Sequence, residues 1–157
     1  MTETGDDQAA LHECCIRLLA RREHARRELE GKLAARGFAR ADIAAELDAL
    51  EAEGLLSDAR FAETFVRTRV EGGYGPLRIR AELQTRGVDG ERIDRSLELV
   101  DDSWLEHCQA AWSRRFGSAP VDRREWSRQA RFLSNRGFSA AHIRRVLDAA
   151  GADDAEG

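Results

Sequence analysis

The chain is 157 residues long, with 25 basic and 29 acidic side chains, 34% charged residues and 6% aromatics. A net charge of −4 speaks against a simple DNA-coating protein, and three cysteines without metal-ligand spacing exclude a zinc-held or disulfide-stapled scaffold. No apolar run is long enough to span a membrane and no targeting segment is legible, so the expectation is a cytoplasmic protein without membrane association, its thiols buried and unpaired.

In chain order, residues 1–10 form an acidic tail expected to be disordered. Leu11, Cys15, Leu18 and Leu19 then make a helical apolar stripe that opens a first three-helix unit, residues 11–57. Ser57, before Asp58, signals the start of a second unit, residues 58–101, whose opening stripe is Phe61, Phe65, Val66 and Val70. In that unit Gly72-Gly73-Tyr74-Gly75-Pro76 ends one helix and begins the next, with Pro76 at the first helical position. Ser103 with Glu106 opens a third unit, residues 102–150, and its stripe is Trp104, Cys108, Trp112 and Phe116. Within it, Asp122 and Glu125 predict a capping pair, and Val121 with Trp126 a hydrophobic staple. Residues 151–157 are a second acidic tail, also expected to be disordered. No window alternates with period two, so the fold class is all-α: nine helices in three tandem repeats, forming an elongated, curved array.

The repeat itself is exact in spacing. Leu33, Arg36, Gly37, Phe38, Ile43 and Leu47 return 50 positions on as Leu83, Arg86, Gly87, Val88, Ile93 and Leu97, and again as Leu133, Arg136, Gly137, Phe138, Ile143 and Leu147. A glycine in this setting predicts a Schellman ending, with Gly37, Gly87 and Gly137 at the left-handed C′ position. The residue after each glycine then packs back on the leucine five before it, and each arginine meets the negative pole of its helix. Ile43, Leu47 and their counterparts face the core of the following helix. Ser139 and Asp89 are candidate N-caps for two of these following helices, whereas Ala39 cannot cap the third.

No catalytic constellation is visible. His12, His24, His107 and His142 lie on different helices without a nucleophile or acid at a consistent spacing. There is no nucleophile elbow, and the glycine run at 72–75 lacks the lysine of a phosphate loop. The residues read as a binding protein without a cofactor. Its candidate contact residues are Arg26, Arg27 and Lys32 in the first unit, Arg78 and Arg80 in the second, and Arg131 and Arg144 in the third, alongside Arg123, Arg124, Arg128 and Arg145. Charge is concentrated accordingly: residues 1–57 hold 8 basic and 12 acidic groups, residues 58–107 hold 8 and 11, and residues 108–157 hold 9 and 6. Helical periodicity does not place all these arginines on one face.

Several stretches resemble the RecX family of regulatory proteins. The segment Arg22-Glu23-His24-Ala25-Arg26-Arg27-Glu28-Leu29, followed by Lys32-Leu33 and Arg36-Gly37-Phe38, resembles the family's opening signature. Leu55-Leu56-Ser57-Asp58-Ala59-Arg60-Phe61-Ala62 is similar to its second segment, and Gly73-Tyr74-Gly75-Pro76-Leu77-Arg78-Ile79 to its most specific one. Arg131-Phe132-Leu133 through Arg136-Gly137-Phe138 completes a resemblance over about residues 11–150. It implies three tandem three-helix repeats and a partner, the RecA recombinase, whose filament such proteins bind and restrain. Strand exchange, ATP hydrolysis and the co-protease activity behind the SOS response are damped as a result. The partner expected on this basis is the RecA filament, with weak single- or double-stranded DNA contact in addition, and the chain itself is expected to be a monomer. The alternative from a different class is a helical-repeat protein that binds nucleic acid directly.

Two departures stand out. Many relatives have serine where this chain has Ala25, which removes a capping box with Glu28 and predicts a weaker helix start, by about 1 kcal/mol. Gln129 stands where the other copies have Leu29 and Ile79, which predicts a shifted packing register in the third repeat, with Trp126 or Phe132 compensating.

Overall fold

The structure, a computed structural model, describes residues 2–100 and 103–156. Among the described residues there are nine helices and no strand: α1 (Thr2–Arg21), α2 (Arg26–Ala35), α3 (Arg40–Ala52), α4 (Asp58–Glu71), α5 (Pro76–Thr85), α6 (Gly90–Glu98), α7 (Trp104–Arg115), α8 (Arg123–Asn135) and α9 (Ala140–Glu156). They form three three-helix repeats in tandem, so the all-α repeat architecture holds. The 101/102 junction between the second and third repeats lies outside the described residues.

The acidic ends differ from expectation. Helix α1 already begins at Thr2 and α9 continues to Glu156, so neither end is irregular among the described residues. Asp6 and Asp7 lie near the amino end of α1, where carboxylates meet the positive pole of the helix. Helix α9 extends past Ala150 because a nucleated, packed helix adds residues at one hydrogen bond each.

Each repeat turn has the Schellman geometry read from the glycines. Gly37 N–H donates to Ala34 O at 3.0 Å and Phe38 N–H to Leu33 O at 3.3 Å. Gly87 and Val88 pair in the same way with Gln84 and Leu83, and Gly137 and Phe138 with Ser134 and Leu133. The three glycines have φ of 93°, 79° and 100°, a region that a side chain makes costly. The same ending recurs at Gly73, whose following residue Tyr74 donates its N–H to Arg69 O at 3.0 Å.

The helix starts follow sequence chemistry in most places. Ser103 accepts from Glu106 N–H, Asp122 from Glu125 N–H and Ser139 from His142 N–H. Ser57 likewise accepts from Arg60 N–H, and Ala39 caps nothing. One expected device is absent: Val121 is 90% exposed and does not fold back on Trp126. Asp122 takes the extended conformation of an N-cap (φ −153°, ψ 178°), and its carboxylate caps α8 without the staple.

The chain divides into two compact units, which do not coincide with the repeats. One comprises Met1–Thr64 with Leu83–Ile93, the other Phe65–Glu82 with Asp94–Gly157. In the first unit, α1 and α2 pack on α3 around Leu11, Cys15, Leu18, Leu29, Leu33, Ile43, Leu47 and Leu50, all buried. In the second, α7, α8 and α9 enclose Cys108, Trp112, Leu133, Phe138, Ile143, Val146 and Leu147. All three cysteines are buried and unpaired, as expected, and burial pushes the Cys15 and Cys108 thiols up to about 11.

Gln129 does not shift the register. It is 2% exposed in the position that leucine and isoleucine hold in the other copies. Its Oε1 accepts from the Trp112 indole N–H at 2.8 Å, and its Nε2 donates to Ser118 O and Glu125 Oε1, each at 3.2 Å. A buried indole N–H needs an acceptor, and the amide supplies it without moving the backbone.

Candidate functional site

The repeated glycine turns are more than helix stops: two of them are seats for another helix start. In the first unit, Arg27 of α2 lies across the Gly87 turn. A Cβ on Gly87 would meet Arg27 Cβ at 2.7 Å and its Cδ closer still. In the second unit, the loop leading into α5 lies on the Gly137 turn, backbone to backbone. Gly75 N–H donates to Arg136 O at 2.7 Å and Leu77 N–H to Gly137 O at 3.0 Å. A Cβ on Gly75 would stand 2.5 Å from the Gly137 carbonyl, and one on Gly137 2.6 Å from Arg78 N. Gly37, in the first repeat, has nothing within 4 Å of such a Cβ. The Gly-Gly-Tyr-Gly-Pro run is therefore a docking element, in which close approach requires Gly75 and the positive φ of 85° favours glycine at Gly73.

The candidate arginines separate into two groups once their partners are known. Arg26 is spent inside the first unit: it pairs with Glu30, Asp48 and Glu51 at 3.2, 2.8 and 2.8 Å. Its backbone N–H donates to Asp58 Oδ1 at 2.7 Å, so Asp58 supplies the α2 cap that Ala25 cannot. Glu28 retains the other half of the capping box through the Ala25 backbone, and it binds Arg22 with both oxygens at 3.0 and 2.9 Å. Burial works to raise the Glu28 carboxyl, but the Arg22 fork outweighs it and holds the group below its ordinary value.

Lys32 is also engaged. Its Nζ donates to His24 Nε2 at 2.9 Å, while His24 Nδ1 faces Arg22 O at 3.1 Å. An ammonium can only donate and a carbonyl can only accept, so His24 is the neutral Nδ1–H tautomer. Burial, with Arg22 and Lys32 nearby, holds its pKa below the ordinary 6.5, although the Arg22 carbonyl and Glu28 oppose the shift. Arg80 pairs with Asp94 at 2.6 Å. Arg78 bonds Glu82 and Asn135 O at 3.0 and 3.1 Å and lies over the Tyr74 ring at 4.6 Å.

The third repeat is different. Arg123, Arg124, Arg131, Arg144 and Arg145 are exposed and, among the described residues, carry no ion pair. Arg124, Arg128 and Arg131 line one face of α8 around a depression of about 710 Å³ that Val121, Asp122, Glu125 and Ser127 complete, and Arg128 reaches Glu125 at 3.5 Å. Arg144 lies on α9, outside that depression. A second feature escaped the sequence entirely. Arg136 stacks between Tyr74 and Phe132, 4.6 and 5.1 Å from their centroids, and donates to Gly72 O at 3.2 Å. Its only sequence signal was the repeat itself, which reads as helix-dipole chemistry rather than as a stacked cation. Among the described residues no group of histidine, cysteine or carboxylate side chains is placed to hold a metal ion, and no helix is long and apolar enough to cross a membrane.

Comparison with known proteins matches this architecture part by part. Models of the first, second and third three-helix domains of RecX match residues 12–50, 57–97 and 101–147. The regulatory protein RecX of Halorhodospira halophila is 50% identical over 158 residues, covering 100% of this chain and 98% of that one. The regulatory protein RecX of Pseudomonas syringae pv. tomato is 47% identical over 150 residues, covering 95% and 97%. In fold, a crystal structure of RecX from Lactobacillus salivarius superposes with a TM-score of 0.80 at 22% identity, covering 94% of this chain and 99% of that one. A second crystal structure, of regulatory protein RecX, gives 0.78 at 23% identity, covering 93% and 75%. Three family domains in order, and half of all residues shared along the full length with one relative, leave one conclusion: the chain belongs to the RecX family of regulatory proteins.

Proposed function

We propose that this RecX-family chain binds the RecA nucleoprotein filament in the cytoplasm and inhibits its recombination, ATPase and co-protease activities, thereby restraining DNA repair and the SOS response. The observation that carries the reading is similarity to regulatory RecX proteins along nearly the whole chain, without a missing repeat. The split among the arginines supports it. Carboxylates hold Arg26, Arg78 and Arg80 in place, whereas Arg124, Arg131 and Arg144 keep exposed, unpaired guanidinium groups that a partner's carboxylates or phosphates can fill. We assign partner contact to those three, with Arg128 beside them. Arg26 and Lys32 act one step back, by holding the first unit together.

The test is a titration of RecA on single-stranded DNA. Substoichiometric protein is expected to lower the DNA-dependent ATPase rate, and an excess that leaves that rate and strand exchange unchanged overturns the reading. A second reading, direct binding to nucleic acid, is favoured by the arginine-lined face of α8. It predicts binding without RecA whose affinity falls steeply with salt.

A further inference from the structure

In the second unit, three arginines converge on one cavity with no carboxylate among its lining residues. Arg114 and Arg115, from the last turn of α7, and Arg136, from the end of α8, surround about 230 Å³ whose remaining walls are Gly72, Gly73, Ala111 and Phe132. Elsewhere in the chain, closely packed arginines are neutralised by acids, as Arg22, Arg26, Arg69, Arg78 and Arg80 are. Here the guanidinium groups are held by other means. Arg136 is fixed by Tyr74, Phe132 and the Gly72 carbonyl. Arg115 lies 5.4 Å from the Phe116 centroid and 5.5 Å from that of Phe132. Arg114 lies against Gly73, where an added Cβ would stand 3.2 Å from its Nη2. Arg114 and Arg115 are exposed and Arg136 is half-buried, so water screens part of their mutual repulsion, and the stacking leaves most of their N–H donors free to meet an anion.

We propose that Arg114, Arg115 and Arg136 form a phosphate-binding pocket, with Phe132 as the wall against which the sugar or base of a nucleotide rests. A planar carboxylate is satisfied by one guanidinium fork, whereas a tetrahedral phosphate presents oxygens in several directions and accepts from donors on different helices. The phenyl wall beside the cations suits a base or sugar more than an acidic peptide. The pocket does not depend on the recombinase reading, because it is a property of the isolated chain. The phosphate can belong to a single-stranded nucleic acid or to a free nucleotide; the chemistry is the same.

The test follows the amide and arginine side-chain NMR signals of the intact chain during addition of inorganic pyrophosphate, and then of a short oligothymidylate. The expected result is that both probes shift Gly72, Gly73, Arg114, Arg115 and Arg136 and compete with each other. Pyrophosphate shifts without competition from the oligonucleotide support the pocket and assign it to free phosphates. In parallel, Arg114→Gln with Arg115→Gln is expected to weaken oligothymidylate binding by about tenfold and to lower the slope of log affinity against log salt by about 0.7 to 1.5. The comparison variant, Arg21→Gln with Arg40→Gln, removes the same charge from α1 and α3. Equal losses in both variants, pyrophosphate shifts confined to other residues, or equal competition by a polyglutamate peptide would overturn the proposal. Should the pocket variant fail to keep its helical spectrum, the unsubstituted chain's NMR titration decides alone.

Discussion

The three turn glycines have one local role and three different surroundings. All have positive φ, so alanine at any of them costs about 1 kcal/mol in backbone strain. Gly37 has open space around it, Gly87 has the stem of Arg27, and Gly137 has the backbone of Gly75 and Arg78. Thermal melts of Gly37→Ala, Gly87→Ala and Gly137→Ala are therefore expected to fall in that order, with Gly137→Ala losing several kcal/mol because a backbone cannot step aside. Equal losses would mean that the turns act as helix stops only. Gln129 makes a second residue-scale case. Gln129→Leu restores the apolar residue of the other repeats but strands the Trp112 N–H, so urea unfolding is expected to show a loss of about 1–3 kcal/mol. Adding Trp112→Phe to that variant removes the orphaned donor, and the combined loss is expected to be smaller than the sum of the two single losses.

His24 adds a pH dependence. Its folded pKa lies below the ordinary 6.5, so between those two values the unfolded chain binds a proton that the folded chain refuses. Stability is then full above the unfolded value and falls as pH drops through that window. Urea midpoints measured from pH 7.5 downward are expected to show this decline, and His24→Gln, which cannot take a proton, is expected to flatten it.

At the scale of the element, α2 shows how a missing local signal is supplied from elsewhere. Ala25 offers no cap, and Asp58, 33 positions later in the sequence, accepts from Arg26 N–H instead. Asp58→Ala is expected to cost about 1 kcal/mol, and Ala25→Ser is expected to stabilise that variant more than the original chain. Equal gains in both backgrounds, read from denaturant midpoints, would show that Asp58 is no cap. Helix positions, the glycine endings and the apolar stripes were legible because each depends on residues within one or two turns. The outward position of Val121 was not, because the Asp122 cap forms with or without the staple. Nor was the seat between Gly75 and Gly137, because two backbones 62 positions apart leave no periodic trace in either.

At the scale of the molecule, charge sorts by task. The first repeat is rich in both signs and uses them on itself, as the Arg26 network and the Arg22–Glu28 pair show. The third repeat holds more basic than acidic residues, and its arginines project outward or into the phosphate pocket. Replacing Arg124 and Arg131 together by glutamine is expected to weaken inhibition of the RecA ATPase by about tenfold, roughly the effect of losing 1.4 kcal/mol of interaction, with an unchanged helical spectrum. Inhibition at the original level would remove that face of α8 from the interface.

The repeat, the all-α class, the turn chemistry and the family can be read from the residues alone, since each is written in spacings of a few residues or in one exact 50-residue period. Which arginines are spent and which remain available becomes visible only once the helices are packed. An arginine's role depends on the carboxylate, carbonyl or aromatic ring that folding brings to its tip, and those partners come from helices far away in the chain.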